Sequence, residues 1–138
     1  MYCFDTDVIS STLLRHPPMH LIRRLALTPN DHQWTTAITI GELTYGAARR
    51  GSAEFSKRLG ERLADAQTVL PFDRVAAEIY GGLRAELERA GKRLDEPDLR
   101  IASIALSRDL TLVTGNVKHF SRVPGLRIEN WLEPSGTS

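Results

Sequence analysis

Short apolar runs alternate along the chain with longer stretches in which apolar residues recur at helical spacing. The short runs predict β-strands at Tyr2–Phe4, Gln33–Thr36, Thr68–Leu70, Thr111–Thr114 and Leu126–Ile128. The stretches between them predict helices over residues 7–14, 19–27, 39–50, 53–66, 74–90, 95–106 and 117–120. Strands that alternate with helices favour a parallel sheet covered on both faces. We therefore expect a three-layer α/β/α domain with a central, mostly parallel sheet.

Composition is that of an ordinary globular protein. The chain has 138 residues, of which 41% are hydrophobic, and a formal net charge of +1. This length suits one domain with one core, and the charge excludes a strongly basic tail while leaving room for a local basic patch. We expect the domain to span residues 1–132, followed by a frayed tail over residues 133–138.

The cysteine content and the N-terminal sequence favour a cytoplasmic location. Cys3 is the one cysteine of the chain, so no intramolecular disulfide can form, which suits a reducing cytoplasm. Asp5 and Asp7 interrupt the N-terminus where a signal peptide would be apolar. No apolar run approaches the roughly 18 residues that a membrane span needs. We expect a soluble, cytoplasmic protein with no membrane partner.

Four polar residues lie where predicted strands end or predicted helices begin. Asp5 follows the first strand, Glu42 and Asp98 fall in the first turns of two helices, and Asn116 follows the fourth strand. In a parallel sheet all four can face the carboxyl edge, where open α/β sheets bind ligands. Clustered carboxylates repel each other, and a divalent cation relieves that repulsion. Oxygen ligands suit Mg²⁺ or Mn²⁺, and such a site supports phosphoryl transfer.

Each of these residues also has an interpretation that involves no function. Thr39 and Glu42 fit a capping box, in which the glutamate would accept from the Thr39 backbone amide. The helix dipole alone favours Asp98, Asn116 after glycine fits a turn, and the aspartates after the first strand can cap a helix. Local capping does not explain why all four candidates would meet at one edge of the sheet.

The histidines give a weaker metal signal. His16 and His20 have the i, i+4 spacing of a helical metal site. Pro17 and Pro18 lie between them and disfavour the helix that the spacing requires, so this interpretation is poor.

In order and spacing, five segments resemble the PIN-domain family, and within it the VapC toxins of bacterial toxin–antitoxin pairs. These segments are Phe4–Ser10, Thr39–Ala47, Asp98–Ala105, Leu110–Phe120 and Val123–Trp131, and together they extend over nearly the whole chain. The resemblance implies a Mg²⁺- or Mn²⁺-dependent endoribonuclease that forms a homodimer. It also implies inhibition by a cognate VapB-type antitoxin encoded beside it, often through a C-terminal tail that lies across the active site.

The resemblance also assigns roles to residues. The acidic set of the family falls on Asp5, Glu42 and Asp98, and its fourth position falls on Asn116. Asp5 and Asp98 are expected to bind the metal directly. Glu42 is expected to orient or deprotonate the attacking water, or to bind the metal through water. Asn116 and the Thr114 hydroxyl are expected to hold the geometry of the site. Many members have aspartate at the fourth position, so asparagine leaves the occupancy of a second metal site open.

Further expectations concern the substrate and Asp7. In-line attack of water beside a metal would leave a 5′-phosphate and a 3′-hydroxyl. Proteins that read RNA sequence usually target single-stranded loops, so the expected substrate is a structured RNA with an exposed loop. Asp7 is expected to be a first-turn helix residue rather than a ligand. Candidate phosphate contacts are Arg15, Arg49, Arg50, Lys92, Arg93 and Lys118.

Three alternatives remain beside this interpretation. A haloacid-dehalogenase-type phosphatase would need an acidic pair after its lysine, but only Glu129 and Glu133 follow Lys118. A receiver domain would need its lysine after a separate fifth strand, whereas Thr114 and Lys118 share one loop, so both enzyme alternatives are poor. The alternative outside enzymes is a catalytically dead PIN-like module that binds RNA or a partner, and Asn116 is the feature that favours it.

Overall fold

The computed structural model describes residues 1–64 and 68–134. The strands are β1 (Tyr2–Phe4), β2 (Gln33–Thr36), β3 (Val69–Leu70), β4 (Thr111–Val113) and β5 (Ile128–Glu129). The helices are α1 (Thr6–Thr12), α2 (Met19–Leu27), α3 (Ala37–Arg50), α4 (Ala53–Ala64), α5 (Arg74–Arg89), α6 (Glu96–Ser107) and α7 (Val117–Phe120). Within the described ranges, none of these helices combines the length and the apolar character that crossing a lipid bilayer would need.

The strand order of the sheet creates a topological switch point beside β1. The order is β3-β2-β1-β4-β5, and every neighbouring pair is parallel. Strands β2 and β3 therefore lie on one side of β1, and β4 and β5 lie on the other. The carboxyl ends of β1 and β4 flank the point where the strand order reverses. Open α/β sheets bind ligands in the crevice at such a switch point.

Helices cover both faces of the sheet. Cys3 of β1 and Leu112 of β4 pack into a cluster with buried residues of α5 and α6. Phe4 and Val113, the next residue of each strand, pack into a second cluster with residues of α1, α3 and α4. Neighbouring strand residues point to opposite faces, so the two clusters lie on opposite sides of the sheet. The predicted three-layer α/β/α architecture is confirmed, and all of its strand pairs are parallel.

The start of α3 differs from the prediction and changes the interpretation of Glu42. Thr36 is extended at the end of β2, and its hydroxyl accepts a hydrogen bond of 3.0 Å from the Thr39 backbone N–H. The helix therefore begins at Ala37, with Thr36 as its cap. The capping box that joins Thr39 to Glu42 is wrong. Glu42 lies in the second turn of α3 rather than the first.

Other differences fall at the ends of elements. The last strand is Ile128–Glu129 instead of Leu126–Ile128, because Ile128 pairs with Leu112 in the register of the sheet. Predicted strand residues Thr68 and Thr114 lie just outside β3 and β4. Residues 65 and 66 of the predicted fourth helix and residues 135–138 of the predicted tail lie outside the described residues.

Candidate active site

Asp5 directly follows β1, at the switch point of the sheet. Its backbone N–H donates to the Val113 carbonyl at 3.0 Å, which continues the pairing of β1 with β4. Its Oδ1 accepts from the Thr6 backbone N–H at 2.7 Å, so Asp5 also caps α1. Its Oδ2 accepts from the Thr114 hydroxyl at 2.8 Å. With 5% of the residue exposed, the carboxylate is held in one orientation by hydrogen bonds on both oxygens.

The loop after β4 is tied to Asp5 through Thr114. The Thr114 hydroxyl accepts from the Asn116 backbone N–H at 3.0 Å while it donates to Asp5. The side-chain oxygen of Asn116 lies 2.5 Å from Nδ1 of His119, one turn further along the chain. Asn116 is thus fixed through both its backbone and its side chain.

Glu42 reaches the same place from α3. Its Oε1 accepts a hydrogen bond of 2.6 Å from the Thr6 hydroxyl. Because Thr6 is the first residue of α1 and follows Asp5 directly, this bond ties α3 to the junction of β1 with α1. One oxygen of Glu42 is held by Thr6, and the other has no partner among the hydrogen bonds of the described residues.

Asp98 completes the set from the first turn of α6. Burial, together with the negative charge of Glu42, raises the pKa of Asp98 to about 6. Burial and the negative charge of Asp7 raise the pKa of Asp5 to about 7, and Asp98 adds to this. Burial is the larger cause for both groups, and the smaller contribution of neighbouring carboxylates agrees with their position around one cleft.

The four predicted site residues share one open cleft. It has a volume of about 550 Å³, within the range of pockets that hold small ligands. The cleft is lined by Asp5, Thr6, Asp7, Ser10, Glu42, Asp98, Gly115 and Asn116. Strand order brings these residues together at the switch point, and no lysine or arginine is among them.

Asp7 takes a larger part in the cleft than its expected place in a helix suggests. It does lie in the first turn of α1, and its Oδ2 accepts from the Gly115 backbone N–H at 2.9 Å. Its Oδ1 is buried and has no hydrogen-bond partner in the described part of the chain. Burial is the main cause of the raised pKa of Asp7. The Asp5-x-Asp7 spacing was the sequence signal for this second carboxylate.

Three other residues of the site were missed by sequence reasoning. Thr6 orients Glu42, and His119 contacts Asn116, although neither has a distinctive spacing in the sequence. Gly115 is needed for a close approach, because a Cβ atom there would lie 2.7 Å from Leu132 Cδ1 and 2.8 Å from Asp7 Oδ2. The Gly115–Asn116 dipeptide signalled a turn but not this contact.

The donor set of the cleft fits a hard divalent cation. Its charged groups are carboxylates, and the unpartnered Asp7 Oδ1 is a buried acceptor that nothing in the described residues satisfies. Across residues 1–64 and 68–134, no three histidine, cysteine, aspartate or glutamate side chains form a ready-made metal cage. Mg²⁺ commonly keeps several waters and binds through one or two carboxylates. The oxygen ligands present are therefore of the kind that suits Mg²⁺ or Mn²⁺, with water completing the coordination.

Comparison with known proteins agrees with this architecture. A family model described as the PIN domain matches residues 2–126. Ribonuclease VapC2 of Rickettsia felis is 31% identical over 95% of this chain and 98% of its own. The tRNA(fMet)-specific endonuclease VapC of Salmonella typhimurium is 35% identical over 94% of this chain and 97% of its own.

A solved structure gives the same result in three dimensions. The crystal structure of VapBC2 from Rickettsia felis bound to a DNA fragment from their promoter contains a similar chain. The TM-score is 0.84 at 31% identity, and the match covers 94% of this chain and 98% of the other. The match extends over nearly the full length in both sequence and structure. The chain therefore belongs to the PIN-domain family and, within it, to the VapC proteins.

Proposed function

We propose that this chain is a Mg²⁺- or Mn²⁺-dependent endoribonuclease and the toxin of a VapBC-type toxin–antitoxin pair. The observation that carries the proposal is the meeting of Asp5, Glu42, Asp98 and Asn116 on one open cleft. The similarity to proteins named as VapC ribonucleases supports the reaction class.

In this proposal each residue has a limited task. Asp5 and Asp98 hold the cation, and the hydroxyl of Thr114 keeps Asp5 in place. Glu42, oriented by Thr6, positions a water with its free oxygen and takes a proton from it. A bound cation would polarise the phosphoryl oxygen, lower the pKa of the attacking water and stabilise the leaving oxygen. The bond from phosphorus to the 3′-oxygen breaks, which leaves a 5′-phosphate and a 3′-hydroxyl.

The proposed substrate is a structured RNA cut in an exposed single-stranded loop. The open cleft supports this, because an unstacked strand can reach carboxylates at a sheet edge more easily than a base-paired helix can. A relative named for its specificity toward tRNA(fMet) makes tRNA the first RNA to test.

The proposed partners are a cognate VapB-type antitoxin and a second copy of the chain. The similar chain in the VapBC2 crystal structure supports the antitoxin, whereas the homodimer rests on the family resemblance alone. We place the protein in the cytoplasm, where its RNA substrate would be found. Light scattering of the purified chain, alone and with its co-expressed antitoxin, tests both assemblies.

The activity is tested by incubating the protein with tRNA in Mg²⁺, in Mn²⁺ and in EDTA. We expect cleavage in either cation, none in EDTA, and a loss of at least about a hundredfold in Asp5→Asn and Asp98→Asn. Asp95→Asn is the matched control, because Asp95 is an exposed aspartate beside α6 whose side chain makes no capping bond. Cleavage by Asp98→Asn at the wild-type rate would overturn the site assignment. RNA binding without cleavage by the wild type would favour the catalytically dead module.

A further inference from the structure

We propose that a basic pocket beside the active-site cleft binds a backbone phosphate of the RNA substrate. The pocket is formed where the end of α1, the end of α3 and the start of α4 meet, and its cationic residues are Arg15, Arg50 and Arg58. We call it the arginine pocket. The inference rests on the proposed ribonuclease function. It adds a second place where the protein would bind the RNA, at a distance from the bond that is cut.

The turn between α3 and α4 builds this pocket. Gly51 has a φ of 67°, which ends α3 in a left-handed conformation suited to glycine. The chain then reverses into α4, and the Ser52 hydroxyl accepts from the Phe55 backbone N–H at 3.2 Å. Arg50 is thereby placed over the Phe55 ring, with 4.2 Å from the guanidinium carbon to the ring centroid. The stacking holds this guanidinium in a defined plane.

Two further arginines face the same space. Arg58 lies three residues beyond Phe55, on the same side of α4, and is half-buried, whereas Arg15 follows α1 and is exposed. Glu54 is the one carboxylate that lines the pocket. In the described part of the chain, no carboxylate lies within 4.0 Å of the guanidinium groups of Arg15, Arg50 or Arg58.

These groups suit a phosphate. A guanidinium presents paired N–H donors that match two phosphate oxygens. The Ser52 hydroxyl accepts a backbone hydrogen bond, which leaves its own proton free to donate. The pocket has a volume of about 430 Å³, enough for a phosphate with part of its sugar. Three arginines against one glutamate make it strongly positive in a chain whose net charge is only +1.

The arginine pocket lies next to the active-site cleft. Ser10 of α1 lines both. An α-helix rises 1.5 Å per residue, so Ser11 lies roughly 9 Å along α1 from Asp5. A phosphate in the pocket would therefore be within a few nucleotides of the phosphate in the cleft.

This arrangement favours RNA over an acidic peptide as the occupant. The cleft itself has four carboxylates and no basic residue in its lining, so it offers an RNA strand no cationic partner of its own. Attraction for the polyanion must come from beside the cleft, and the arginine pocket is adjacent to it.

The test compares two double variants that each remove two positive charges. Arg50→Gln with Arg58→Gln changes the pocket. Lys57→Gln with Arg89→Gln removes two positive charges from exposed residues of α4 and α5 that do not line the pocket. Affinity for tRNA is measured over a range of salt concentrations in an Asp98→Asn background that prevents cleavage. Cleavage of the same tRNA is measured in the active background with Mg²⁺.

We expect the pocket variant to bind tRNA at least about tenfold more weakly and to lose roughly 0.7 in the slope of log affinity against log salt for each lost contact. Its KM should rise with little change in kcat, since the contact is remote from the reacting bond. The control variant should change each quantity by less than about twofold. Far-UV circular dichroism checks that both variants are folded.

The possible results separate this inference from the proposed function. Equal weakening in both double variants, while the wild type cleaves tRNA, would overturn the arginine pocket and leave the ribonuclease in place. Loss of binding in the pocket variant alone, with no cleavage by the wild type, would support the pocket and overturn the enzyme. Unchanged RNA affinity in the pocket variant would overturn RNA as the occupant of the arginine pocket. A wild type that binds no RNA would overturn both proposals.

Discussion

The Thr114 hydroxyl donates a 2.8 Å hydrogen bond to Oδ2 of Asp5, although the two residues are 109 positions apart in the chain. Both are buried, and the same hydroxyl accepts from the Asn116 backbone N–H. One hydroxyl therefore joins the carboxylate that ends β1 to the loop that follows β4, and it fixes the two sides of the switch point relative to each other.

Replacing Thr114 with valine removes this link and keeps the shape of the side chain. Oδ2 of Asp5 and the Asn116 N–H would each lose a partner, so we expect the free energy of unfolding to fall by about 1–3 kcal/mol. Activity per folded molecule should fall at least about tenfold, because Asp5 is no longer oriented. Urea denaturation and RNA cleavage measure the two effects.

Thr35→Val is the control for that change. Thr35 is also a buried threonine at the sheet, but its hydroxyl donates to the Phe4 carbonyl at 3.0 Å rather than to a carboxylate. It should destabilise the fold to a similar extent and leave the activity of the folded protein intact. Equal activity losses in the two variants would contradict the special role of Thr114.

The raised pKa of Asp5 predicts that the metal-free protein loses stability as pH rises. Burial and Asp7 raise this pKa from 3.8 to about 7, so between about pH 4 and 7 the folded state keeps a proton that the unfolded state has lost. The stability that this proton contributes is full below pH 4 and is lost as pH rises through 7. Asp5→Asn cannot lose that proton and should become more stable than the wild type toward pH 8, by up to about 4 kcal/mol.

The measurement is the difference in unfolding free energy between Asp5→Asn and the wild type, in EDTA, at several pH values from 5 to 8. Glu86→Gln removes a carboxyl from the exposed side of α5 and serves as the control. Its difference from the wild type gives the baseline for a carboxyl outside the cleft. If the difference between Asp5→Asn and the wild type does not change with pH, the pKa of Asp5 is not raised by the fold.

A bound cation should stabilise the fold by relieving the same repulsion. At pH 7.5, Mg²⁺ or Mn²⁺ at about a hundred times its Kd would contribute about 2.7 kcal/mol and raise Tm by roughly 5–10 °C. Asp98→Asn should lose most of this shift, whereas Asp95→Asn should keep it, since only Asp98 lines the cleft. Differential scanning fluorimetry with and without EDTA measures the effect. Equal shifts in both variants would argue against Asp98 as a ligand.

Gly115→Ala tests the close packing of the loop after β4. The added Cβ would lie 2.7 Å from Leu132 Cδ1 and 2.8 Å from Asp7 Oδ2, so the loop or the Asp7 carboxylate must move. We expect a loss of about 1–3 kcal/mol in stability and a large loss of cleavage. Gly81→Ala, with no atom within 4 Å of its Cβ, should instead stabilise α5 by about 0.5–1 kcal/mol and keep activity. Unaltered cleavage by Gly115→Ala would show that the loop adjusts freely.

Sequence patterns predicted the elements of this fold better than their ends. Alternation of apolar runs with helical spacing was sufficient for the parallel α/β architecture, because both periodicities follow from backbone geometry. The start of α3 was misplaced because Thr36 and Thr39 are equally good caps locally. Only the extended backbone of Thr36 at the end of β2 decided between them.

Asp5 and Asp98 could be found from the sequence because Asp5 follows a strand and Asp98 opens a helix. Glu42 was selected for a first-turn position that it does not occupy, since it lies in the second turn of α3. Thr114 was expected to hold the site only because of the family resemblance, and Thr6 and His119 were not expected at all. Thr6 gains its role from a contact between α1 and α3, and nothing in the sequence beside Asp5 indicates which group its hydroxyl binds.

The arginines of the pocket were also only partly predictable. Arg15 and Arg50 were candidate phosphate contacts because of their charge, whereas Arg58 was not a candidate and lies beside them because the chain reverses at Gly51.

The sequence by itself determined the alternation of strands and helices, the residue types available for chemistry, and their order along the chain. Tertiary structure decided which of them meet. Strand order placed β1 between β2 and β4, so that Asp5 lies beside Thr114 and Asn116 and within reach of Glu42 and Asp98. Burial then raised the pKa values of Asp5 and Asp98, because a carboxylate loses its hydration only when the rest of the fold surrounds it.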